Sequence, residues 1–264
     1  AGLHLLKIGE DAIIKTDTFT LAGKAMANAR SMVKRAEKEG MHIIFSHGPI
    51  ENTHLLTQME HISRTWLVNK GSTEMGFSMG HFDIHGDREQ VYALAVDCSN
   101  RVHAFVTFVP IYGRAGWALD LMRRAEQAAP GTMELLLGRS IEHLKSRGAN
   151  IVSLGLAPLG NVLDSQESFL GTSIDFLSQR FGHPDGNHSL FTFKKKFQPS
   201  WESRYLVYSS TLTLPKVGWA LYHVHQRDVS LLTACSRFLK QCQTQRRSIV
   251  SRVPDHSTSG GLSL

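Results

Sequence analysis

The spacing of hydrophobic and polar positions predicts two kinds of regular element along this chain. From Met133 to Leu144 apolar residues recur with a period of about 3.6, which predicts a helix that ends near Arg147. The next segment, 151–156, is short and mostly apolar, as is typical of a buried parallel strand. Residues 117–124 are interpreted as the strand before the helix. Together these segments predict a strand, a helix and a parallel strand joined as one crossover unit.

The helical period of about 3.6 residues and short apolar runs typical of strands predict further elements on both sides of this unit. A turn-rich tetrapeptide at 97–100 lies between two apolar strands and predicts a hairpin. A turn at 9–11 is predicted to interrupt the first strand, and Thr20 is predicted to cap the first helix. Predicted strands lie at 3–15, 41–45, 74–80, 91–96, 102–109 and 201–208. Predicted helices lie at 21–39, 53–68, 168–181, 217–225 and 229–242, and a basic tail predicted to be disordered follows from 246.

The order hairpin, third strand, crossover helix and parallel strand is typical of acetyltransferase-like (GNAT) folds. We therefore predict an α/β, GNAT-like fold with a central mixed, mostly antiparallel sheet flanked by helices. In such a fold two central strands diverge, and donor and acceptor meet in the gap between them. Members that use acetyl-CoA hold its pyrophosphate on a Gly-rich loop, but the corresponding loop here, 123–131, contains a single glycine. The loop therefore favours a different donor.

Composition adds a preference for anionic partners. The 264 residues include 29 Lys and Arg against 23 Asp and Glu, a net charge of +6 that favours phospholipid head groups, nucleic acid or phosphorylated metabolites. The 3 cysteines are odd in number and widely spaced, which excludes a disulfide framework and a zinc motif. No segment reaches the ~18 consecutive apolar residues of a membrane span. His81 and His85 flank Asp83, but we interpret them as solvated loop residues, and no metal site is predicted.

Charged residues inside the crossover unit are the first candidates for chemistry. Asp120 interrupts an otherwise apolar strand, and Arg123 and Arg124 stand where that strand ends. Open α/β sheets bind ligands at such strand ends. The alternative is that Asp120 and Arg123 simply pair with each other.

A basic stripe on the first predicted helix is a second candidate. Arg30, Lys34 and Lys38 recur at every fourth position, so they share one helical face. This face is interpreted either as a phosphate-binding surface for tRNA or as an ordinary solvated face.

A lysine run between two phenylalanines is a third candidate. In an extended segment Lys194 and Lys196 share one face, with Lys195 on the other. Basic residues flanked by Phe193 and Phe197 suit the unpaired 3′ end of a tRNA, whose bases stack on aromatic rings. A plain solvated lysine run is the alternative.

Four motifs occur in order along the chain and, taken together, resemble a known family. The motifs lie at 77–83 (FSMGHFD), 120–124 (DLMRR), 155–159 (GLAPL) and 193–205 (FKKKFQPSWESRY). They closely resemble the catalytic domain of the lysyl- and alanyl-phosphatidylglycerol synthases, also called multiple peptide resistance factors. The resemblance covers roughly residues 5–225. His81 departs from the family's usual Arg and Gly160 from its usual Ser, which bears on donor or acceptor specificity.

The resemblance implies an activity and assigns roles to the candidates. Family members transfer an aminoacyl group from aminoacyl-tRNA to the glycerol hydroxyl of phosphatidylglycerol, and no cofactor is expected. The family's functional Asp and Arg fall on Asp120 and Arg123, and its functional lysine falls on Lys194 or Lys196. We add Glu74, toward the donor's amino group, and Arg204 as substrate-binding candidates. For Arg204, a surface pair with Glu202 is the alternative.

The resemblance also implies a domain organisation and a location. The family's catalytic module has two GNAT-like halves joined by a long helix, and in many members it follows a membrane flippase domain on the cytosolic side. Residues 1–45 are then the remnant of a first half plus the connecting helix, and 46–215 are the catalytic domain. Residues 216–264 are C-terminal helices and a basic tail. The expected partners are aminoacyl-tRNA, phosphatidylglycerol in anionic membranes and an N-terminal membrane domain.

Two other functions stay open at this stage. One is a GNAT-type transferase that uses acyl-CoA, which the loop at 123–131 disfavours. The other is a non-catalytic module that binds tRNA or membranes, which the presence of Asp120, Arg123, Lys194 and Lys196 disfavours.

Overall fold

A 7-stranded sheet forms the centre of the computed structural model, which describes residues 2–69, 82–83, 85, 88–158, 184–214, 216–217 and 220. The strands are β1 (His4–Lys15), β2 (His42–His47), β3 (Val91–Val96), β4 (Val102–Ile111), β5 (Gly116–Arg124), β6 (Ile151–Pro158) and β7 (Ser200–Tyr208). The helices are α1 (Ala27–Lys38), α2 (Thr53–Asn69), α3 (Thr132–Ser146) and α4 (Pro184–Lys195), with 3-10 turns at Tyr112–Arg114 and Thr211–Thr213. Within the described part of the chain, no helix combines the length and the apolar character needed to cross a membrane.

The order of the strands confirms the predicted fold class. It is β2-β3-β4-β5-β6-β1-β7, and in the described sheet β5 and β6 pair in parallel while the other neighbours pair antiparallel. The parallel pair flanks α3, as the crossover unit predicts. The predicted turn at 9–11 is wrong, because β1 runs unbroken from His4 to Lys15 and Gly9 pairs with both neighbouring strands.

Alternating side chains divide the core between the two faces of the sheet. On one face, α1 and α3 cover a cluster that includes Val106, Phe108 and Leu136. On the opposite face, α2 covers a smaller cluster that includes Met59 and Phe105. Successive residues of β4 enter different clusters because strand side chains alternate. We refer to these as the α3 face and the α2 face.

Two local elements differ from the sequence prediction. Helix α1 begins at Ala27 rather than near residue 21, because the carbonyls of Leu21 and Gly23 accept hydrogen bonds from the Arg30 side chain instead of from helical amides. The Thr20 hydroxyl accepts from the Ala22 amide and does not cap α1. The predicted elements at 74–80, 168–181 and 229–242, most of 217–225 and the basic tail lie outside the described residues.

The predicted boundary at residue 45 falls inside β2. Strand β1 lies between β6 and β7, and β2 pairs with β3, so described residues from both sides of that boundary share one sheet. The described residues all belong to one compact unit. The assignment of residues 1–45 to a first half of a larger module stays a prediction.

Strands β5 and β6 pair over a short stretch and then separate. The parallel register ends at Ala118 and Ser153. Beyond that point β5 continues against β4, while β6 continues against β1. The divergence opens a gap between the two central strands, as expected for a GNAT-like fold.

A β-bulge in each of the diverging strands accounts for the separation. In β5, Asp120 and Leu121 together stand opposite Thr107 of β4. In β6, Leu154 and Gly155 together stand opposite Ala12 of β1. A bulge bends its strand and increases the local twist, so both strands turn away directly after their last shared pair. Gly155 has φ +84°, a conformation that favours glycine.

The start of α3 gives a stability prediction. Gly131 precedes α3 with φ +90°, and a Cβ there would overlap the carbonyl oxygen of Met32 in α1. We expect Gly131→Ala to lower the free energy of unfolding by about 2–4 kcal/mol, because it adds backbone strain and pushes α1 from α3. Gly148→Ala is the control, since Gly148 has φ +85° but open space around its Cβ position, and about 1 kcal/mol is expected. Urea unfolding measures both, and equal losses would contradict the close-contact argument.

Candidate active site

The gap between β5 and β6 brings two predicted residues to comparable positions. Asp120 lies two residues beyond Ala118 on β5, and Gly155 lies two residues beyond Ser153 on β6. Lys194 donates to the carbonyl of Gly155. Each wall of the gap therefore carries a charged side chain just past the last pair of the parallel register.

The β5 bulge positions Asp120. The side chain is half-buried, and its Oδ2 accepts a hydrogen bond from the Thr107 hydroxyl at 3.3 Å. The same hydroxyl oxygen accepts from the amide of Leu121 at 3.0 Å. Because a hydroxyl carries one hydrogen and two lone pairs, Thr107 can serve both partners together. The bulge and the carboxylate are thus held by one buried threonine.

Arg123 lies near the end of β5, as predicted, and contacts helix α2. Its side chain is 5% exposed, and the guanidinium carbon lies 4.0 Å from the centre of the Trp66 ring. A guanidinium over an indole face is a favourable cation–π contact, and more so when it is shielded from water. This contact was not predicted from the sequence.

Lys194 is the most deeply buried lysine among the candidates. It is 4% exposed, and its Nζ donates to the carbonyl oxygens of Gly155 and Leu156, both at 3.0 Å. These carbonyls belong to the part of β6 that β5 no longer pairs. Burial lowers the pKa of Lys194 from 10.5 to about 8, and the negative charge of Asp11 partly offsets this effect.

The expected extended geometry of the lysine run is wrong. Helix α4 ends at Lys195 and the chain then turns, so Lys194 and Lys196 do not share a strand face. Lys196 forms an ion pair of 2.8 Å with Glu134, which is buried in the first turn of α3. The Lys196 ammonium also lies 5.4 Å from the centre of the Phe193 ring.

Lys196→Met tests whether this second lysine has a structural role. The change leaves the buried Glu134 carboxylate without its cation, so we expect the free energy of unfolding to fall by about 1–3 kcal/mol. Lys195→Met is the matched control, since Lys195 is exposed and should tolerate the change. Thermal and urea unfolding measure both. A destabilised control, or an unaffected Lys196→Met, would contradict the assignment.

Arg204 belongs to a line of alternating charges along the sheet. Its Nη2 donates to Asp11 at 2.7 Å and lies 3.2 Å from Glu202. Glu202 in turn accepts two hydrogen bonds from Arg114, at 2.9 and 2.8 Å. The Glu202–Arg204 pair considered from the sequence is present, and the contact with Asp11 was missed. A role for Arg204 toward substrate stays a prediction.

Two polar residues near the gap escaped the sequence interpretation. The Ser153 hydroxyl donates to Asp11 Oδ1 at 2.6 Å and accepts from the Gly155 amide at 3.0 Å. Asp11 directly precedes the buried residues Ala12–Ile14 of β1. A carboxylate beside a buried strand segment, like Asp120 in β5, was the signal that could have identified it.

The predicted tRNA-binding stripe on α1 is not uniform. Lys34 and Lys38 are exposed, whereas Arg30 is half-buried and donates to the carbonyls of Leu21 and Gly23 at 2.7 and 2.8 Å. Glu74, like His81 of the considered metal site, lies outside the described residues. The roles assigned to these residues stay predictions.

The sequence model of the family described as "Phosphatidylglycerol lysyltransferase, C-terminal" matches residues 1–208, most of the chain. The chain belongs to this family. The match ends where β7 ends, so the seven strands among the described residues all lie within the matched region.

The curated relatives of this chain are much longer proteins. A phosphatidylglycerol lysyltransferase of Bacillus subtilis is 32% identical over 222 residues, which are 81% of this chain and 25% of that protein. A "Lysylphosphatidylglycerol biosynthesis bifunctional protein LysX" of Mycobacterium tuberculosis is 31% identical, covering 83% of this chain and 19% of that protein. The chain thus spans a quarter or less of these curated relatives.

A solved structure supports the fold of this chain. The L-PGS structure from Bacillus licheniformis superposes with a TM-score of 0.73 at 29% identity and covers 86% of this chain and 68% of that one. Since the superposition covers 86% of this chain, the similarity is not limited to the motif residues.

Proposed function

We propose that this domain transfers an aminoacyl group from aminoacyl-tRNA to the glycerol hydroxyl of phosphatidylglycerol. The observation that carries the proposal is the placement of Asp120 and the Lys194-capped carbonyls of β6 on the two walls of the gap. Relatives that carry this domain are named phosphatidylglycerol lysyltransferases, which supports the lipid acceptor.

The proposed reaction needs little driving force, so the protein mainly has to align the two substrates and stabilise the negative charge that develops between them. The donor is an activated ester, and its transfer to an alcohol exchanges one ester for another. The protein must hold the lipid hydroxyl beside the acyl carbon, take up its proton and stabilise the oxyanion. Asp120 is our candidate for binding the hydroxyl and accepting its proton, with Thr107 fixing the carboxylate.

Lys194 is our candidate for stabilising the oxyanion. An ammonium has three N–H donors, and among the described residues the carbonyls of Gly155 and Leu156 take two of them. We assign the third donor to the oxygen of the ester carbonyl. With a pKa of about 8, Lys194 stays mostly protonated at neutral pH. A buried cation acts strongly here because water does not screen it.

The step conserves atoms and charge. The glycerol oxygen forms a bond to the acyl carbon, and the bond from that carbon to the terminal ribose oxygen of the tRNA breaks. The proton leaves the glycerol hydroxyl, passes to Asp120 and is delivered to the departing ribose oxygen. Arg123, stacked on Trp66, is proposed to attract the phosphate of either substrate through its positive charge.

The start of α3 argues against acyl-CoA as the donor. A pyrophosphate bound at a helix N-terminus needs accessible amides and positive potential. Here the first turn of α3 contains the buried carboxylate of Glu134, and Gly131 packs against the backbone of Met32. The carboxylate already occupies the favourable end of the helix dipole.

Substrate surfaces outside the gap extend the proposal. Exposed Lys34 and Lys38 on α1 are proposed to contact the tRNA phosphates, with Arg30 holding the segment before the helix. We also propose that the domain works at the cytosolic face of an anionic membrane, beside an N-terminal membrane domain. Glu74 and Arg204 are proposed to bind substrate.

A transfer assay tests the proposed function. The protein is mixed with a set of tRNAs, each charged with one radiolabelled amino acid, and with vesicles of phosphatidylglycerol or of phosphatidylcholine. We expect label in the lipid phase with phosphatidylglycerol alone, from one or a few of the charged tRNAs. Equal label in both lipids would contradict the acceptor. No label with a folded protein would contradict the reaction.

A further inference from the structure

Asp11 lies at one end of a hydrogen-bonded chain that reaches Lys194. Its Oδ1 accepts from the Ser153 hydroxyl at 2.6 Å, and that hydroxyl accepts from the Gly155 amide at 3.0 Å. The Gly155 carbonyl accepts from Lys194 Nζ at 3.0 Å. Three hydrogen bonds and one glycine thus connect a carboxylate of β1 to a buried lysine of α4.

The direction of each bond in this chain is determined by the groups themselves. An ionised carboxylate only accepts, so Ser153 must point its hydrogen at Asp11. Its lone pairs are then left for the Gly155 amide. This contact orients a glycine at φ +84° inside the β6 bulge, where the backbone has no regular strand pairing to hold it.

We propose that Asp11, acting through Ser153, is a positioning residue that holds the Gly155 carbonyl in place and thereby directs the Lys194 ammonium into the gap. The inference rests on the proposed function of Lys194 and assigns a role to two residues that the family motifs do not include.

The charges around Lys194 make the proposal measurable. Among the described residues, Asp11 is the group whose negative charge raises the pKa of Lys194. This effect opposes the lowering that burial causes. Arg204 faces Asp11 from β7 at 2.7 Å and is itself near Glu202. On the helix side, Lys195 is exposed and Lys196 is paired with Glu134. Removal of Asp11 therefore removes the charge that partly offsets the effect of burial on the pKa of Lys194.

A purely structural role for Asp11 predicts something different. If Asp11 only fastens β7 to β1 through Arg204, its charge still acts on Lys194, but Ser153→Ala keeps that ion pair and should leave kcat unchanged. Ser153→Ala therefore separates the two roles, and the proton equilibrium of Lys194 measures its electrostatic coupling to Asp11 without any transfer reaction.

The experiment measures the reactivity of one amine as a function of pH. Parent and variant proteins are pulse-labelled with an amine-reactive acetylating reagent across a pH series, and labelling of Lys194 is quantified by peptide mass spectrometry. In Asp11→Asn we expect the midpoint of Lys194 labelling to fall by about one pH unit. Glu10→Gln is the matched control, because Glu10 pairs with Lys7 and should leave the midpoint unchanged.

In a second variant we expect the midpoint of Lys194 labelling to shift in the opposite direction. Arg204→Gln removes the cation that faces Asp11, so the midpoint of Lys194 should rise. This side chain is 41% exposed, which favours a folded variant. Ser153→Ala keeps the Asp11 charge but interrupts the chain, so kcat should fall about tenfold or more with KM nearly unchanged.

The outcomes separate this inference from the proposed function. Unchanged Lys194 midpoints in both Asp11→Asn and Arg204→Gln, or a parental kcat in Ser153→Ala, would overturn the positioning role. Shifted midpoints together with a parent protein that transfers nothing would support the coupling of Asp11 to Lys194 and contradict the reaction instead.

Discussion

Asp120→Asn is expected to reduce aminoacyl transfer by about 10²–10⁴-fold while the protein remains folded. The amide oxygen can still accept from the Thr107 hydroxyl, so the β5 bulge keeps its geometry. The amide cannot accept the proton of the lipid hydroxyl, and the step that depends on this proton slows. The measurement is the initial rate of label transfer to phosphatidylglycerol at saturating donor, with circular dichroism to compare the fold.

Asp17→Asn is the matched control for this substitution. Asp17 is exposed beyond β1 and contacts the Thr18 amide, so the same chemical change there should leave transfer unchanged. Near-parental transfer by Asp120→Asn, in a folded protein, would remove Asp120 from the reaction. A pronounced loss in the control would show that the assay reports folding or solubility.

Lys194→Met is the second large effect, with an expected loss of about 10²–10³-fold in kcat. Methionine has a similar length and fills much of the same space, but it donates nothing to the oxyanion or to the carbonyls of Gly155 and Leu156. Lys195→Met changes the adjacent, exposed lysine and should retain transfer. Equal losses in both variants would indicate a general effect of charge on tRNA binding.

The pH dependence of transfer follows from the same lysine. The pKa of Lys194 is about 8, so its ammonium loses a proton as pH rises through this value, and kcat should fall on the alkaline side. The rate must be corrected for spontaneous hydrolysis of the charged tRNA. A rate that stays constant well above pH 8 would contradict the need for a cation at this position.

Stability offers an independent check on the burial of Lys194. Its pKa is about 8 in the folded protein against an ordinary value of 10.5, so between these pH values the unfolded chain binds more protons. The free energy of unfolding should therefore rise with pH across this window, by up to about 1.4 kcal/mol per pH unit. Lys194→Met should lack this contribution, and urea unfolding at several pH values measures the difference.

Local sequence was enough to place most of the regular elements. The 3.6 period placed α3 and α2, and short apolar runs placed β3, β4 and β6 close to their observed bounds. Such elements bury one face of their segment. The order of apolar and polar side chains shows directly which face is buried. The charges of Asp120 and Arg123 stood out because they interrupt such a pattern at the end of β5.

A residue pattern that fits both a helix and a strand could not be assigned to one of them from the local sequence. Phe193 and Phe197 are four residues apart, a spacing that suits both a helix and a strand, and the lysines between them suit either. In the structure, Phe197 is buried in the core on the α3 face and Phe193 packs against that core. Both positions are compatible with a helix that ends at Lys195. Helix propensity was too weak a signal to decide this from sequence.

The candidate site itself was decided by tertiary structure. The crossover unit, the family and the charged end of β5 could be predicted from the sequence, since each depends on residues close together in the chain. The bulges at Asp120 and Gly155, the burial of Lys194 and its link to Asp11 depend on β1 lying beside β6. Asp11 and Ser153 are 142 positions apart, and only strand pairing brings the carboxylate to the hydroxyl. Register and bulges are set by contacts of whole strands, so no local period could reveal them.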